Sequence, residues 1–352
     1  MLRFRSQSIA QITRFFAEND FTQTHPPIIT SSDCEGAGEV FSIATTDARG
    51  KADTMDFFRS TKYLTVSSQL HLEALAHAVG KVWTLSPTFR AEKSDTARHL
   101  SEFYMLEAEL NFVDDMHQVM DVIENMLRHL TTSLSNSKIG EELLFAKRFG
   151  ANGTELDMAE FTNMLQSRWQ GMMGGPWPRI TYTKAIELLR DSAIEFEHEP
   201  KWGSGLQAEH ERYIASHVGQ GMPVFVTQYP RQIKPFYMLP TAVAEHSSQE
   251  TVDCFDLLVP EVCEIVGGSM REYRFEELAQ AMQAQGVIAR DADLSDPEAF
   301  GSMKWYADLR KWGSVPHGGF GLGFDRLLGY LSGLQNIREV VAFPRWVSRC
   351  DC

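Results

Sequence analysis

The chain has 352 residues, with 33 Lys and Arg against 47 Asp and Glu, for a formal charge of −14. At 43% hydrophobic, 11% aromatic and 23% charged residues its make-up is that of an ordinary globular protein, which excludes a disordered chain, a collagen-like repeat and a disulfide scaffold. The acidic balance argues against wholesale coating of a nucleic-acid backbone and leaves room for docking one through a local basic patch.

The first stretch carries Arg3, Arg5 and Arg14 with no acid before Glu18, a pattern shared with import sequences. Ile9, Ile12, Phe15 and Phe16 fall at helical spacing, which predicts instead a structural helix over about 6–18. After the His25-Pro26-Pro27 turn and the loop Asp33–Glu39, a short strand is expected at Lys62–Val66 and a helix at Gln69–Val79. Two strands follow, Val82–Glu92 and Glu102–Leu110, joined by the polar segment Lys93–Ser101. Asp114 and Asp115 read as N-terminal caps for an amphipathic helix with the stripe Met116, Val119, Met120, Ile123, Met126, Leu127 and Leu130. The middle, from about 145 to 220, reads as helical, with Gly174–Pro178 as its clearest breaker. Strand character returns over 223–267. A polar helix near 275–286, a glycine-rich segment and a final helix close the chain. Strands scattered among helices without a βαβ rhythm predict an α+β domain around an antiparallel sheet. Cys34, Cys254, Cys263, Cys350 and Cys352 form no C-x-x-C pair and read as reduced thiols. No run of about 18 or more apolar residues occurs, so no membrane-spanning helix is expected.

Three constellations carry chemistry. In the first strand Trp83, Leu85 and Phe89 point one way and Thr84, Thr88, Arg90 and Glu92 the other. In the second, Phe103, Met105, Glu107 and Glu109 share a face. Arg90, Arg98 and His99 would supply charge for a polyphosphate, and Phe103 a stacking surface for a base; a solvated face with salt bridges is the competing reading. The second constellation is Asp256 with Glu264, ahead of Gly267-Gly268-Ser269-Met270-Arg271. Two carboxylates near a turn suit Mg²⁺ shared with phosphate oxygens, although paired acids at this spacing also arise by chance. Arg271 offers a planar two-point contact, or is an ordinary surface arginine. The third, Gly318–Arg326, is superficially similar to a dinucleotide fingerprint, but the spacing is wrong and no βαβ unit surrounds it. Arg326 would stand at the opening of a helix beginning at Leu327. A cation there is unfavourable for the helix unless an anion is present.

Together these segments resemble a class II aminoacyl-tRNA synthetase of the asparaginyl group, bacterial or organellar in type, from about Arg3 to the C-terminus. Pro27-Ile28-Ile29-Thr30 is similar to the family's first motif, Phe89–Phe103 to its second and the segment ending in Arg326 to its third; Asp33–Gly38, Trp202–Tyr213 and Gln228–Tyr237 also match. The resemblance implies an antiparallel sheet flanked by helices, one catalytic domain over 1–352 with a helical insertion at about 145–220, and a homodimer formed through the first motif. It implies ATP as substrate, with Arg90 on the α-phosphate, Arg98 and His99 on the outer phosphates, Arg326 on the γ-phosphate and Phe103 against adenine. Glu92 and Gly323 would complete the nucleotide site, and Asp256 and Glu264 would hold Mg²⁺. Glu35 and Gln69 would grip the α-amino end of the amino acid, Glu107 would accept from the side-chain NH₂, Arg271 would donate to the amide oxygen, and Ser269 would line the same site.

Aspartyl relatives carry a lysine where this chain has Leu72 and a shorter acid where it has Glu107, so the resemblance favours asparagine over aspartate. The family's usual anticodon-binding OB-fold has no counterpart in the sequence. Three readings therefore stand: asparagine activation with transfer to tRNA; a tRNA-independent relative that hands the activated amino acid to a small amine or ammonia; and a non-catalytic, regulatory or structural relative, which the joint presence of Arg90, Arg326, Asp256, Glu264 and Phe103 disfavours. The expected setting is cytoplasmic or mitochondrial.

Overall fold

The computed structural model describes residues 1–31, 40–45, 57–145, 157–242 and 249–351. In chain order these form α1 (Leu2–Glu18), β1 (Thr22–Gln23), β2 (Ile29–Thr30), β3 (Tyr63–Leu64), α2 (Gln69–Val79), β4 (Lys81–Phe89) and β5 (Glu102–Asn111). Then come α3 (Met116–Ser135), α4 (Lys138–Phe145), α5 (Met158–Met173), β6 (Arg179–Thr181), α6 (Tyr182–Arg190) and α7 (Ala208–His217). The last part contains β7 (Val224–Thr227), β8 (Cys254–Val259), β9 (Cys263–Met270), α8 (Phe275–Ala284), α9 (Lys304–Lys311), β10 (His317–Gly323) and α10 (Phe324–Ser332). Eight strands make one sheet in the order β1-β4-β5-β10-β9-β8-β7-β6. Its centre is antiparallel and both edge pairs, β1 with β4 and β6 with β7, are parallel.

One face of the sheet is closed by helices. The stripe of α3 is buried along its length, each apolar side chain contributing roughly 1.5–3 kcal/mol of transfer free energy. Asp115 caps the helix by accepting from the His117 N–H. Phe4, Ile12, Phe15 and Phe16 of α1 join the same core, together with α5 and α10. The arginine-bearing N-terminus is thus a packed helix. Two smaller apolar clusters flank the opposite face, one around α8 and α9 and one around α6 and α7. Between them the sheet lies open as a floor.

The sequence read Gly318–Gly323 as a glycine-rich segment. The structure makes it a central strand, between β5 and β9. Glycine is a poor strand former, and tertiary contact decides the matter here. A Cβ on Gly319 would run into the Ala108 carbonyl oxygen and the Glu109 carboxylate, and one on Gly318 would stand 3.0 Å from the Ser269 carbonyl. Gly319→Ala is expected to destabilise the fold by about 1–3 kcal/mol, read as a lower urea midpoint at unchanged slope, because the neighbouring backbone cannot yield.

Candidate active site

The site is built on ladder register. Thr84, Glu107, Gly321, Gly267 and Asp256 stand opposite one another across β4, β5, β10, β9 and β8. Residues opposed in a ladder project to the same face, so the two carboxylates face one space across a floor of glycines. That space is a cavity of about 510 Å³, lined among others by Gln69, Leu72, Arg90, Glu107, Asp256, Glu264 and Arg271.

Glu264 reaches this face through an irregularity. It lies three positions before Gly267, so in a regular strand the two would point to opposite faces. Between β8 and β9 the register shifts, pairing Leu257 with Val266 but Leu258 with Glu264 and leaving Ile265 extra. This bulge returns Glu264 to the side of Asp256. A Cβ on Gly267 would lie 3.3 Å from Glu264 Oε1 and 3.5 Å from Asp256 Oδ1, so both carboxylates converge above that glycine. Burial, then Asp256, pushes the Glu264 pKa up. Burial, then Glu264 and Asp256, pushes Glu211 of α7 up to about 7. The partly buried Lys234 ammonium lies 3.2 Å from Asp256 Oδ2; desolvation works to lower its pKa, and Asp256 with its neighbours offsets this, so it titrates above its ordinary range. Among the described residues no three His, Cys, Asp or Glu side chains form a complete ligand set. Two crowded carboxylates opening into a cavity fit a divalent cation that takes its remaining ligands from a bound phosphate and water.

At the other end of the floor the polar face of β5 is buried, with Glu107 and Glu109 at 3% and 1% exposure, which excludes a solvated sheet surface. Glu107 accepts from the Ser67 hydroxyl at 2.5 Å and from the Ser68 N–H at 2.9–3.0 Å. Arg271 is equally buried and is no surface arginine. Its guanidinium donates to both Glu109 oxygens, at 3.1 and 3.0 Å, and to the Ser269 hydroxyl at 2.6 Å. Burial pushes the Glu109 pKa up to about 7, with Arg271 opposing. Leu72 lines this part of the cavity, so no cation occupies its place. Glu35 lies outside the described residues.

A second cavity of about 300 Å³ adjoins the first and shares Arg90, Met105, Glu264 and Gly321 with it. It collects Glu92, Arg98, His99, Phe103, Gly323 and Arg326, gathering the rest of the sequence-derived nucleotide residues in one place. Arg90 leaves the end of β4 with its guanidinium 5.7 Å from the Phe103 ring centre and 3.9 Å from Glu92. Arg98 donates to the Val262 carbonyl at 2.5 Å. The His99 ring is held by Thr96 Oγ1 at 2.6 Å and stands 3.5 Å from Glu92. Helix α10 begins at Phe324, three residues earlier than expected, with Gly323 as its N-cap. Asp325 therefore belongs to the first turn. It is bound by Arg5 of α1 and accepts from the Tyr104 N–H at 2.8 Å. With that carboxylate committed, Arg326 donates one nitrogen to the Glu264 carbonyl at 2.6 Å and borders the cavity as a cation at a helix start, a place that suits an anion.

Several side chains around the site carried no role in the sequence reading. Lys234 and Glu211 lie inside segments that match the family pattern, and that was their only signal. Glu109 was recognised on the polar face without a partner. Glu73, Tyr306, Arg310 and His317 gave no pattern, because their contacts join residues more than 200 positions apart.

Comparison with known proteins identifies the family. Residues 1–347 match the family model described as tRNA synthetases class II (D, K and N). The mitochondrial asparagine–tRNA ligase of Saccharomyces cerevisiae is 43% identical over 353 residues, covering 98% of this chain and 68% of that protein. The asparagine–tRNA ligase of Desulfotalea psychrophila is likewise 43% identical, covering 99% of this chain and 70% of its own length. The crystal structure of asparaginyl-tRNA synthetase from Pyrococcus horikoshii complexed with asparaginyl-adenylate superposes with a TM-score of 0.78 at 30% identity, over 99% of this chain and 68% of that one. The chain belongs to the class II tRNA synthetases (D, K and N), on the asparaginyl side of that group.

Proposed function

We infer that this chain activates asparagine with ATP and transfers the asparaginyl group to tRNA. The observation that carries the reading is the pairing of Arg271 with Glu109 beside Glu107. Arg271 retains hydrogen-bond directions for an amide oxygen while its charge is already balanced, and Glu107 offers acceptors to an amide NH₂. A neutral amide is matched and a carboxylate is repelled.

In the first step a carboxylate oxygen of the amino acid attacks the α-phosphorus, and the bond to the bridging oxygen of pyrophosphate breaks in line. Arg90 stands where the two cavities meet and takes the charge that develops on the α-phosphoryl oxygens. Arg98, His99 and Arg326 hold the leaving pyrophosphate, while Phe103 carries the base. Asp256 and Glu264 would hold Mg²⁺, which supplies further charge neutralisation on the phosphates. A terminal ribose hydroxyl of tRNA then attacks the acyl carbon and AMP departs. Gln69 holds the α-amino end. Glu35 is assigned to the same task on the resemblance alone. On this reading 1–352 is one catalytic domain with 145–220 inserted into it. A cytoplasmic or mitochondrial setting accompanies it, since the relatives include a mitochondrial and a bacterial enzyme.

The test is ATP–pyrophosphate exchange across the twenty amino acids, with and without tRNA. Exchange with asparagine, followed by accumulation of asparaginyl-tRNA, is the expected result. Adenylate formation with tRNA left uncharged and a small amine consumed would overturn the tRNA assignment in favour of an amide ligase.

The homodimer belongs to the same reading. Ile28 and Ile29 lie exposed at the first motif, and β2 pairs with β3, beside which Phe41 is also exposed. Light scattering at micromolar concentration is expected to give about twice the 39.8 kDa chain mass, and Ile29→Lys to shift it toward the monomer.

A further inference from the structure

Beneath the amino-acid pocket lies a charged cluster that reaches the cavity only through its neighbours. Glu73 sits one turn after Gln69 on α2 and is fully buried. Its carboxylate accepts from the Tyr306 hydroxyl at 2.8–3.0 Å and from Arg310, and His317 Nε2 lies 3.2 Å away. On the pocket side it accepts from the Gln69 amide NH₂ at 3.0 Å, and Arg271 Nε lies 3.9 Å from the same oxygen. Burial works to raise the Glu73 pKa, and Arg310, His317 and Arg271 outweigh it, so the group is held ionised.

An ionised carboxylate only accepts hydrogen bonds. Gln69 must therefore turn its NH₂ toward Glu73, leaving its amide oxygen as the group it offers the cavity. A substrate ammonium needs an acceptor there, and the flipped amide would oppose donor to donor. We propose that Glu73 is a positioning residue that fixes the orientation of the Gln69 carboxamide, so that its oxygen faces the α-amino end of the amino acid. The inference rests on the amino-acid-activation reading above.

The experiment is amino-acid-dependent ATP–pyrophosphate exchange with Glu73→Gln, Glu73→Asp and Tyr306→Phe. Glu73→Gln can present its own NH₂ and release the Gln69 amide; the KM for asparagine is expected to rise about 10-fold or more with the KM for ATP unchanged. Tyr306→Phe removes one hydrogen bond from Glu73 and leaves Gln69 engaged; it is expected to lower the melting temperature with the asparagine KM unmoved. Because Glu73→Gln leaves Arg310 short of a counter-charge and can fail to fold, Glu73→Asp keeps the charge while shortening the reach, and the same selective rise in KM is expected from it. Adding either change to Gln69→Met should cost nothing further in KM. A folded Glu73 variant with an asparagine KM within about twofold of the parent, or KM effects that add to those of Gln69→Met, would overturn the proposal. If the parent activates a different amino acid, the asparagine reading falls, and the KM for that amino acid still decides the role of Glu73.

Discussion

Replacing Arg90 with alanine is expected to reduce asparagine-dependent ATP–pyrophosphate exchange by about 10³-fold or more, because one preorganised donor to a developing oxyanion is already worth about 10²–10³ and a cation more. Arg90 borders both cavities, and on the proposed reading its guanidinium meets the α-phosphate between them. Its position depends on the end of β4 and on the backbone bond from the Arg90 N–H to the Ser101 carbonyl at 3.0 Å. Alanine keeps both, so the variant should melt near the parent temperature. Loss of exchange without loss of fold is the expected signature. Exchange within about tenfold of the parent would remove Arg90 from the chemistry.

The second large effect concerns choice of amino acid. Glu107→Gln is expected to reduce discrimination against aspartate by about 10²-fold, since juxtaposed like charges cost several kcal/mol. The substitution is nearly isosteric, and the surroundings dictate how the new amide turns. The Ser67 hydroxyl and the Ser68 N–H both donate to Glu107. The glutamine oxygen would stay with them and its NH₂ would face the pocket. Asparagine then loses an acceptor for its own NH₂, and aspartate gains a donor. The ratio of kcat/KM for the two amino acids is the measurement. An unchanged ratio would shift the discrimination to the Arg271–Glu109 pair.

Much of this molecule follows from the sequence alone. The period-2 alternation of β4 and β5, the 3.6-period stripe of α3 and the span of α2 are local signals, and local packing rules read them. The same holds for the residue types that chemistry needs, since arginines for phosphate and paired acids for a cation are recognisable wherever they occur. Neighbourhood is a different matter. The bulge at Ile265, which puts Glu264 beside Asp256, leaves no mark in the spacing of the acids. The glycine run became a central strand because only residues without a Cβ fit against the Ala108 carbonyl and leave the floor open. Glu73, Arg310 and His317 came together across more than 200 positions, because a carboxylate buried under a helix needs counter-charges from whichever element the sheet brings alongside. Sequence determined the elements and their chemical endowment. Strand order, register and burial decided which of those groups meet, because those properties belong to pairs of segments and not to either segment by itself.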